Sequence, residues 1–256
     1  MKQFVSERKS CEIVSIHRSV YRHNRTEKDA ELSNEILSIA NSKKRYGYRR
    51  ITHELRKRMN VNHKKVYRIY SNLNLKYRIK SRRKRFYVEK QVMIIPSGMN
   101  IRWSMDFVSD SFYDGRRFRV FNLIDDFTRE SIVQYADFSI SGIRLKRIFD
   151  ALKQGRKLPK QIVCDNGTEF TSKVFMKWAD ENKVELCFID KGKPTQNAFV
   201  ESFNGKFRDE CLNEEWFMNL EETRIKIAKW RNEYNLERPH SSLGNISPYE
   251  FIRRIA

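Results

Sequence analysis

An α/β core of five strands, mixed in direction and preceded by small all-α basic modules, is the architecture this sequence predicts. Three observations predict it. Helical spacing of apolar residues rules up to about residue 75, and from residue 101 short apolar runs bounded by turns take over. The order from there is three consecutive strands, then helix, strand, helix, strand, helix, which fits a mixed sheet with an antiparallel first half. The charge is split as well: residues 1–100 hold 26 Lys/Arg against 8 Asp/Glu, so +18 of the chain's +20 lies there. A basic module joined to a nearly neutral one is the charge layout of a polyanion-binding arm on a separate core; a basic, solvated surface is the plainer alternative.

The elements follow in order. Residues 6–22 read as two short helices about a turn near Ser15-Ile16, with Ser6 as a cap, the layout of a helix-turn-helix. Residues 29–40 form an amphipathic helix with Leu32, Ile36, Ile39 and Ala40 on one face. Gly47 marks a turn, and a second helix follows with Ile51, Leu55 and Met59 apolar. A third runs from about His63 to Asn72 with Val66, Ile69 and Tyr70 inward. Lys80–Phe86 is a basic linker suited to tracking phosphates, and Pro96-Ser97-Gly98 a boundary. The strands are 102–108, 118–124, 131–138, 161–164 and 184–189. Helices span 141–154, 172–183, the Glu201 segment to about Asn213, and 220–234. The expected organisation is a helix-turn-helix-like segment (1–26), a helical DNA-binding module (27–79), a linker (80–97), and a core with a C-terminal helical extension (98–256).

Cys11, Cys164, Cys187 and Cys211 are widely spaced and form no Cys-x-x-Cys, so a zinc knuckle is not expected, nor do His17, His23, His53 and His63 have a cysteine pair to share a zinc with. Free thiols suit a reducing cytoplasm. No apolar run approaches membrane-spanning length and the first ten residues lack a signal-peptide core, so a cytoplasmic, nucleoid-associated protein without membrane contact is expected.

Three acids organise the second half. Asp106 lies inside the first strand between Met105 and Phe107, where an unpaired carboxylate is costly. Asp165 closes the fourth strand and opens Asp-Asn-Gly-Thr-Glu-Phe, which by itself is also an ordinary turn. Glu201 follows after 35 intervening residues, at a helix start; alone it reads as a surface residue. If the first and fourth strands are neighbours, the three carboxylates meet. Hard oxygen ligands select Mg²⁺ or Mn²⁺, and two such ions about 4 Å apart serve phosphodiester cleavage and joining. Arg208, seven residues past Glu201, returns to nearly the same helix face; Lys206 points elsewhere. Glu169 is expected to shape its loop, Asn197 to cap the Glu201 helix, and His240 to pack.

Asp106, Asp165-Asn-Gly-Thr-Glu-Phe, and Glu201 followed by Arg208 together resemble the DDE transposase and retroviral integrase superfamily. Ile124-Asp-Asp-Phe-Thr-Arg129 is similar to that group's turn after the second strand. Tyr234-Asn235 with Arg238-Pro-His-Ser-Ser-Leu-Gly244 and Ser247-Pro-Tyr-Glu250 resembles the C-terminal signature of the IS-three family of bacterial insertion sequences, and Tyr46-Gly-Tyr-Arg-Arg-Ile51 the module preceding its core. The resemblance implies a ribonuclease-H-like fold, catalysis and metal binding by Asp106, Asp165 and Glu201, and transposition through a circular intermediate. Two departures stand out: Ser15 where glycine is usual, and Arg208 where lysine is usual.

The expected partner is double-stranded DNA, both the terminal inverted repeats and the target. Candidate contacts are Arg208, Lys206, Asn166, Lys193, Arg49, Arg50, Lys64, Lys65, Arg82, Arg83 and Arg85. The helices of residues 29–72 carry no sustained heptad run. Self-association on DNA is therefore expected to need help from an upstream-frame product, as fusion or partner. Competing readings are a DNA-bound regulator with an inert core, and a ribonuclease-H-like nuclease.

Overall fold

The structure is a computed structural model. It describes residues 5–21, 25–76, 95–190 and 194–255, with backbone alone at 25–28, 194 and 195. The chain divides into two compact units, Met1–Ser81 and Arg82–Ala256.

The first unit is helical. Helix α1 (Glu7–Ile13) starts at Ser6, whose hydroxyl accepts the Lys9 N–H at 3.4 Å. Ser15 then adopts φ 54°, the left-handed conformation that glycine fills more cheaply, and α2 (Arg18–Tyr21) follows. Helices α3 (Arg25–Ser42), α4 (Tyr48–Arg56) and α5 (His63–Asn72) share one core of Leu32, Ile36, Tyr46, Ile51, Leu55, Val66, Ile69 and Tyr70. Helix α3 begins four residues earlier than its apolar spacing shows, because its first turn is polar. Gly47 sits before α4 at φ −78°, and a side chain there would meet nothing, so the turn does not demand glycine. Asn62 caps α5 by accepting the Lys64 N–H at 2.9 Å.

In the second unit the described residues form a five-stranded sheet: β1 (Arg102–Ser111), β2 (Arg117–Asp125), β3 (Ser131–Asp137), β4 (Gln161–Cys164) and β5 (Glu185–Phe188), in the order β3-β2-β1-β4-β5. The first three run antiparallel; β4 and β5 are parallel to β1 and to each other. Strands β1 and β2 are longer than their apolar runs because the hairpin joining them keeps pairing out to Ser111 and Arg117.

Alternation along the strands divides the core in two. On one face Trp103, Met105, Phe121, Leu123 and Cys164 pack against α6 (Gly142–Gly155) and α7 (Lys173–Glu181) through Phe149, Phe175 and Trp178. On the other, Val108, Phe118, Val120, Ile124 and Ala136 pack against α8 (Ala198–Phe207) and α9 (Leu220–Leu236) through Val200, Phe203, Phe207 and Trp230. Each of these buried aromatics contributes about 1.5–3 kcal/mol. Helix α8 ends at Phe207 rather than running on to Asn213; a π-turn over Arg208–Leu212 carries the chain onward. The last helix, α10, is Pro248–Ile255.

Asn197 stands at the N-cap position just before α8, yet its side chain makes no cap hydrogen bond. The preceding 3-10 turn (Pro194–Asn197) feeds directly into the helix, and the Asn197 amide turns instead to donate to the Met105 carbonyl at 3.3 Å.

Candidate active site

The register of β1 against β4 decides where the acids meet. Ser104 lies opposite Val163, and two residues further along each strand come Asp106 and Asp165. Asp106 points to the face covered by α8, where Asn204 meets it, and Asp165 stands one residue past the end of β4. Their strands are hydrogen-bonded neighbours although 58 residues intervene. Glu201 is exposed in the first turn of α8. Burial first, and then the nearby charges of Asp165 and Glu201, push the Asp106 carboxyl up to about 6, against the lowering effect of its hydrogen bonds. Burial also raises Glu201. Asp165 and Glu201 are thus each within electrostatic reach of Asp106. Among the described residues, however, no three His, Cys, Asp or Glu side chains are drawn in to metal-ligand spacing.

Each acid is held by local structure. The Asp165 carboxylate accepts the Gly167 N–H at 3.0 Å, and a Cβ at Gly167 would stand 3.0 Å from that same oxygen, so the tight turn favours glycine. Asn166 is exposed, and its amide donates to the Ile189 carbonyl at 2.8 Å, tying the turn to the end of β5. Glu169 pairs with Arg119, whose guanidinium lies 4.1 Å from the centre of the Phe107 ring, so this fourth acid braces the loop. Burial drives the Cys164 thiol far up and that of Cys211 up to about 12, which leaves neither as a nucleophile.

Helix α8 lies along β1 and is sewn to it. Asn197 reaches Met105, Arg208 donates to the Ser109 carbonyl at 3.1 Å, and between them Asn204 donates to Asp106 Oδ2 at 2.7 Å. The other carboxylate oxygen, Oδ1, accepts the Phe107 N–H at 2.7 Å. Behind Asn204 stands Asn122 of β2, donating to Asn204 Oδ1 at 2.7 Å, and behind it Gln134 of β3, donating to Asn122 Oδ1 at 3.1 Å. Sequence reasoning missed this row. The available signals were an asparagine inside the apolar run Val120–Ile124 and a second one a helical turn past Glu201. The turn after β2 braces the start of α8: Arg102 bonds the buried Asp126 at 2.7 Å, and the Arg102 and Arg129 guanidiniums lie 5.4 and 3.9 Å from the centre of the Phe199 ring.

The basic candidates scatter. In the first unit, Arg49 is exposed and bonds the Tyr48 hydroxyl at 3.2 Å, Arg50 lies over the Tyr46 ring, and Lys64 is exposed. Lys65 is half-buried and paired with Asp29 at 2.9 Å. Lys206 is half-buried on α8. Lys193, Arg82, Arg83 and Arg85 lie outside the described residues, as does His23. His240 packs, buried, edge-on against Tyr234 with ring centres 4.7 Å apart.

Comparison with known proteins draws the same outline. Two family models described as integrase core domain match residues 96–194 and 182–248, and one described as HTH-like domain matches 27–85. The chain is 44% identical over 250 residues to the insertion element IS476 uncharacterized 39.2 kDa protein of Xanthomonas euvesicatoria, covering 96% of this chain and 72% of that one. It is 42% identical over 255 residues to the insertion element IS407 uncharacterized 31.7 kDa protein of Burkholderia multivorans, covering 98% and 91%. The chain belongs to the insertion-sequence transposases of the IS-three family. A more distant member of this family, the putative transposase InsK for insertion sequence element IS150 of Escherichia coli, is 25% identical over 270 residues, 98% of this chain and 95% of that one. Among solved structures, a chain of the simian T-cell lymphotropic virus intasome superposes with a TM-score of 0.53 at 13% identity, covering 85% of this chain and 73% of that one. The core of this transposase therefore has the ribonuclease-H-like fold of retroviral integrase cores. Its helix-turn-helix-like and integrase domains are those of a DNA-binding protein. Among the described residues no helix is long and apolar enough to cross a membrane.

Proposed function

We propose that this transposase cuts and joins the DNA ends of its insertion sequence by divalent-metal-dependent phosphoryl transfer at Asp106, Asp165 and Glu201. The observation that carries the reading is the β1–β4 register, which brings Asp106 and Asp165 side by side beneath the helix that bears Glu201. The donor set fits the ions: the three are hard carboxylates, and Asp106, raised first by burial and then by the charges of Asp165 and Glu201, is a group that a bound cation would relieve. Mg²⁺ or Mn²⁺, as a pair when bound, would supply Lewis acidity to the attacking and leaving oxygens.

The chain's own residues then divide the work. Asp106, Asp165 and Glu201 hold the ions. Asn204 and the Phe107 N–H fix the Asp106 carboxylate. Arg208 stands exposed one turn beyond Asn204, with one guanidinium nitrogen on Ser109, and offers its remaining donors to a DNA phosphate. Arg49, Arg50, Lys64 and Lys65 in the first unit, with Arg82, Arg83 and Arg85 after it, supply phosphate contacts that hold the duplex. Lys206, Asn166 and Lys193 are further contacts near the cut. Two ends must be joined, so copies associate on DNA, with an upstream-frame product as fusion or partner; the site of action is the cytoplasmic nucleoid.

The test replaces the acids singly in a strand-transfer assay on the element's own ends. Asp106→Asn, Asp165→Asn and Glu201→Gln should each abolish cleavage and joining while leaving DNA binding nearly intact, and EDTA should stop the wild type. Activity within about tenfold of wild type in any of the three would sink the assignment, since losing an essential group costs far more than that.

A further inference from the structure

At the level of the acids, a polar line crosses the face of the sheet beneath α8. Asp106 of β1 lies opposite Asn122 of β2, and Asn122 opposite Gln134 of β3. The adjacent row on one side, Val108, Val120 and Ala136, is apolar and buried; on the other side Ile124 lies between the buried Ser104 and Ser131. Asn122 itself is fully buried. A polar residue in that place is costly unless its hydrogen bonds are met.

Chemistry at one end dictates the orientation of the whole run. An ionised carboxylate only accepts, so Asn204 must turn its Nδ2 to Asp106. Its Oδ1 then faces the sheet and requires a donor, which is Asn122 Nδ2 at 2.7 Å. That leaves Asn122 Oδ1 to accept from Gln134 Nε2 at 3.1 Å. Three amides stand head to tail with every donor aimed at Asp106. At the far end Gln134 Oε1 is buried with no partner among the described residues. An orphan buried acceptor is costly, and an apolar residue in the row would avoid it.

We propose that Asn122 is a positioning residue for the strand-transfer chemistry: by donating to Asn204 Oδ1 it fixes the polarity of the amide row and so the rotamer in which Asp106 meets a divalent cation. The inference rests on the function proposed above. Asn122 touches neither DNA nor reacting atoms; it acts through Asn204. Partners one shell out from a metal ligand typically set affinity or activity by about 10–100-fold.

Two substitutions separate this role from packing. Asn122→Leu removes the donor at similar size; it also leaves Asn204 Oδ1 and Gln134 Nε2 without that partner, so the variant should melt a few degrees lower than wild type but remain folded at the assay temperature. It should need about tenfold more Mn²⁺ for half-maximal joining, and bind Mn²⁺ correspondingly more weakly by titration calorimetry of the full chain with pre-cut end DNA. Asn122→Asp reverses the polarity: an acceptor now faces Asn204, so an oxygen must oppose an oxygen at one end of Asn204. Its deficit in Mn²⁺ affinity should exceed that of Asn122→Leu and approach a hundredfold, with KM for DNA unchanged in both variants. Asp106→Asn runs alongside. If it abolishes joining while a folded Asn122→Leu keeps wild-type Mn²⁺ affinity and rate, the positioning role is overturned and the function stands. If joining survives Asp106→Asn, the function and this inference fall together.

Discussion

Arg238 and Glu210 make the most exacting test of how the C-terminal segment is held. Arg238 donates through Nε and Nη2 to the two Glu210 oxygens at 2.7 and 2.6 Å, and the two side chains are 4% and 14% exposed. Glu210 lies in the π-turn that follows α8, so the pair ties the Arg-Pro-His segment to the helix bearing Glu201. Removing one partner breaks a buried pair held by two charge-assisted hydrogen bonds, which costs up to about 3–5 kcal/mol. For a domain of 150–250 residues each kcal/mol lowers Tm by about 2–4 °C. Arg238→Met, which keeps much of the packing over the Tyr234 ring, should therefore lower the melting temperature by up to about 6–20 °C, and Glu210→Met comparably. The double variant removes both charges and should recover to within about 2 kcal/mol of wild type, because apolar side chains often replace a buried pair at little cost. Urea melts followed by tryptophan fluorescence give the four free energies of the cycle. If the double variant loses the sum of the two single losses, the pair has no coupling and the reasoning fails.

Two further outcomes follow from local geometry. The folded Asp106 carboxyl, raised to about 6 from 3.8, keeps a proton that the unfolded chain has released. Stability of the metal-free protein should thus fall as pH rises from about 4 to 6 and level off above, by at most about 3 kcal/mol, and Asp106→Asn should flatten that slope in pH-dependent melts; an unchanged slope would contradict it. Ser15→Gly relieves a serine held at φ 54° and should stabilise the α1–α2 turn, by about 1 kcal/mol; greater protease sensitivity near residue 15 would tell against this.

What could be read from the sequence was what local pattern encodes. Strand 161–164 and helix 63–72 stand where their apolar spacing put them, each bounded by turn or cap chemistry. The mixed sheet followed from element order. The neighbourhood of β1 and β4 had to be assumed, since nothing local records pairing across 58 residues. Longer-range partners stayed hidden for the same reason. Lys65 looked like an outward cation because Asp29, its partner, lies on another helix. Asn204 and Asn122 are 82 residues apart, and each alone reads as a tolerated polar residue. Asn197 had the right type for a cap, but only the path of the preceding turn shows why its amide goes to β1 instead.

The division of the core between the two faces of the sheet bears on how such elements decay. Helices α8 and α9 bring Glu201 and also cover Val108, Phe118, Val120 and Ile124. A copy interrupted between β5 and Glu201 loses that acid and leaves an oily sheet face in water, a ready target for proteolysis and aggregation. The helical unit ahead of it has its own core in Leu32, Ile36, Leu55 and Val66. Broken copies of the element therefore do not accumulate as folded, inert competitors for the intact enzyme's site. The helical unit, with a core of its own, does not depend on that sheet face for its packing.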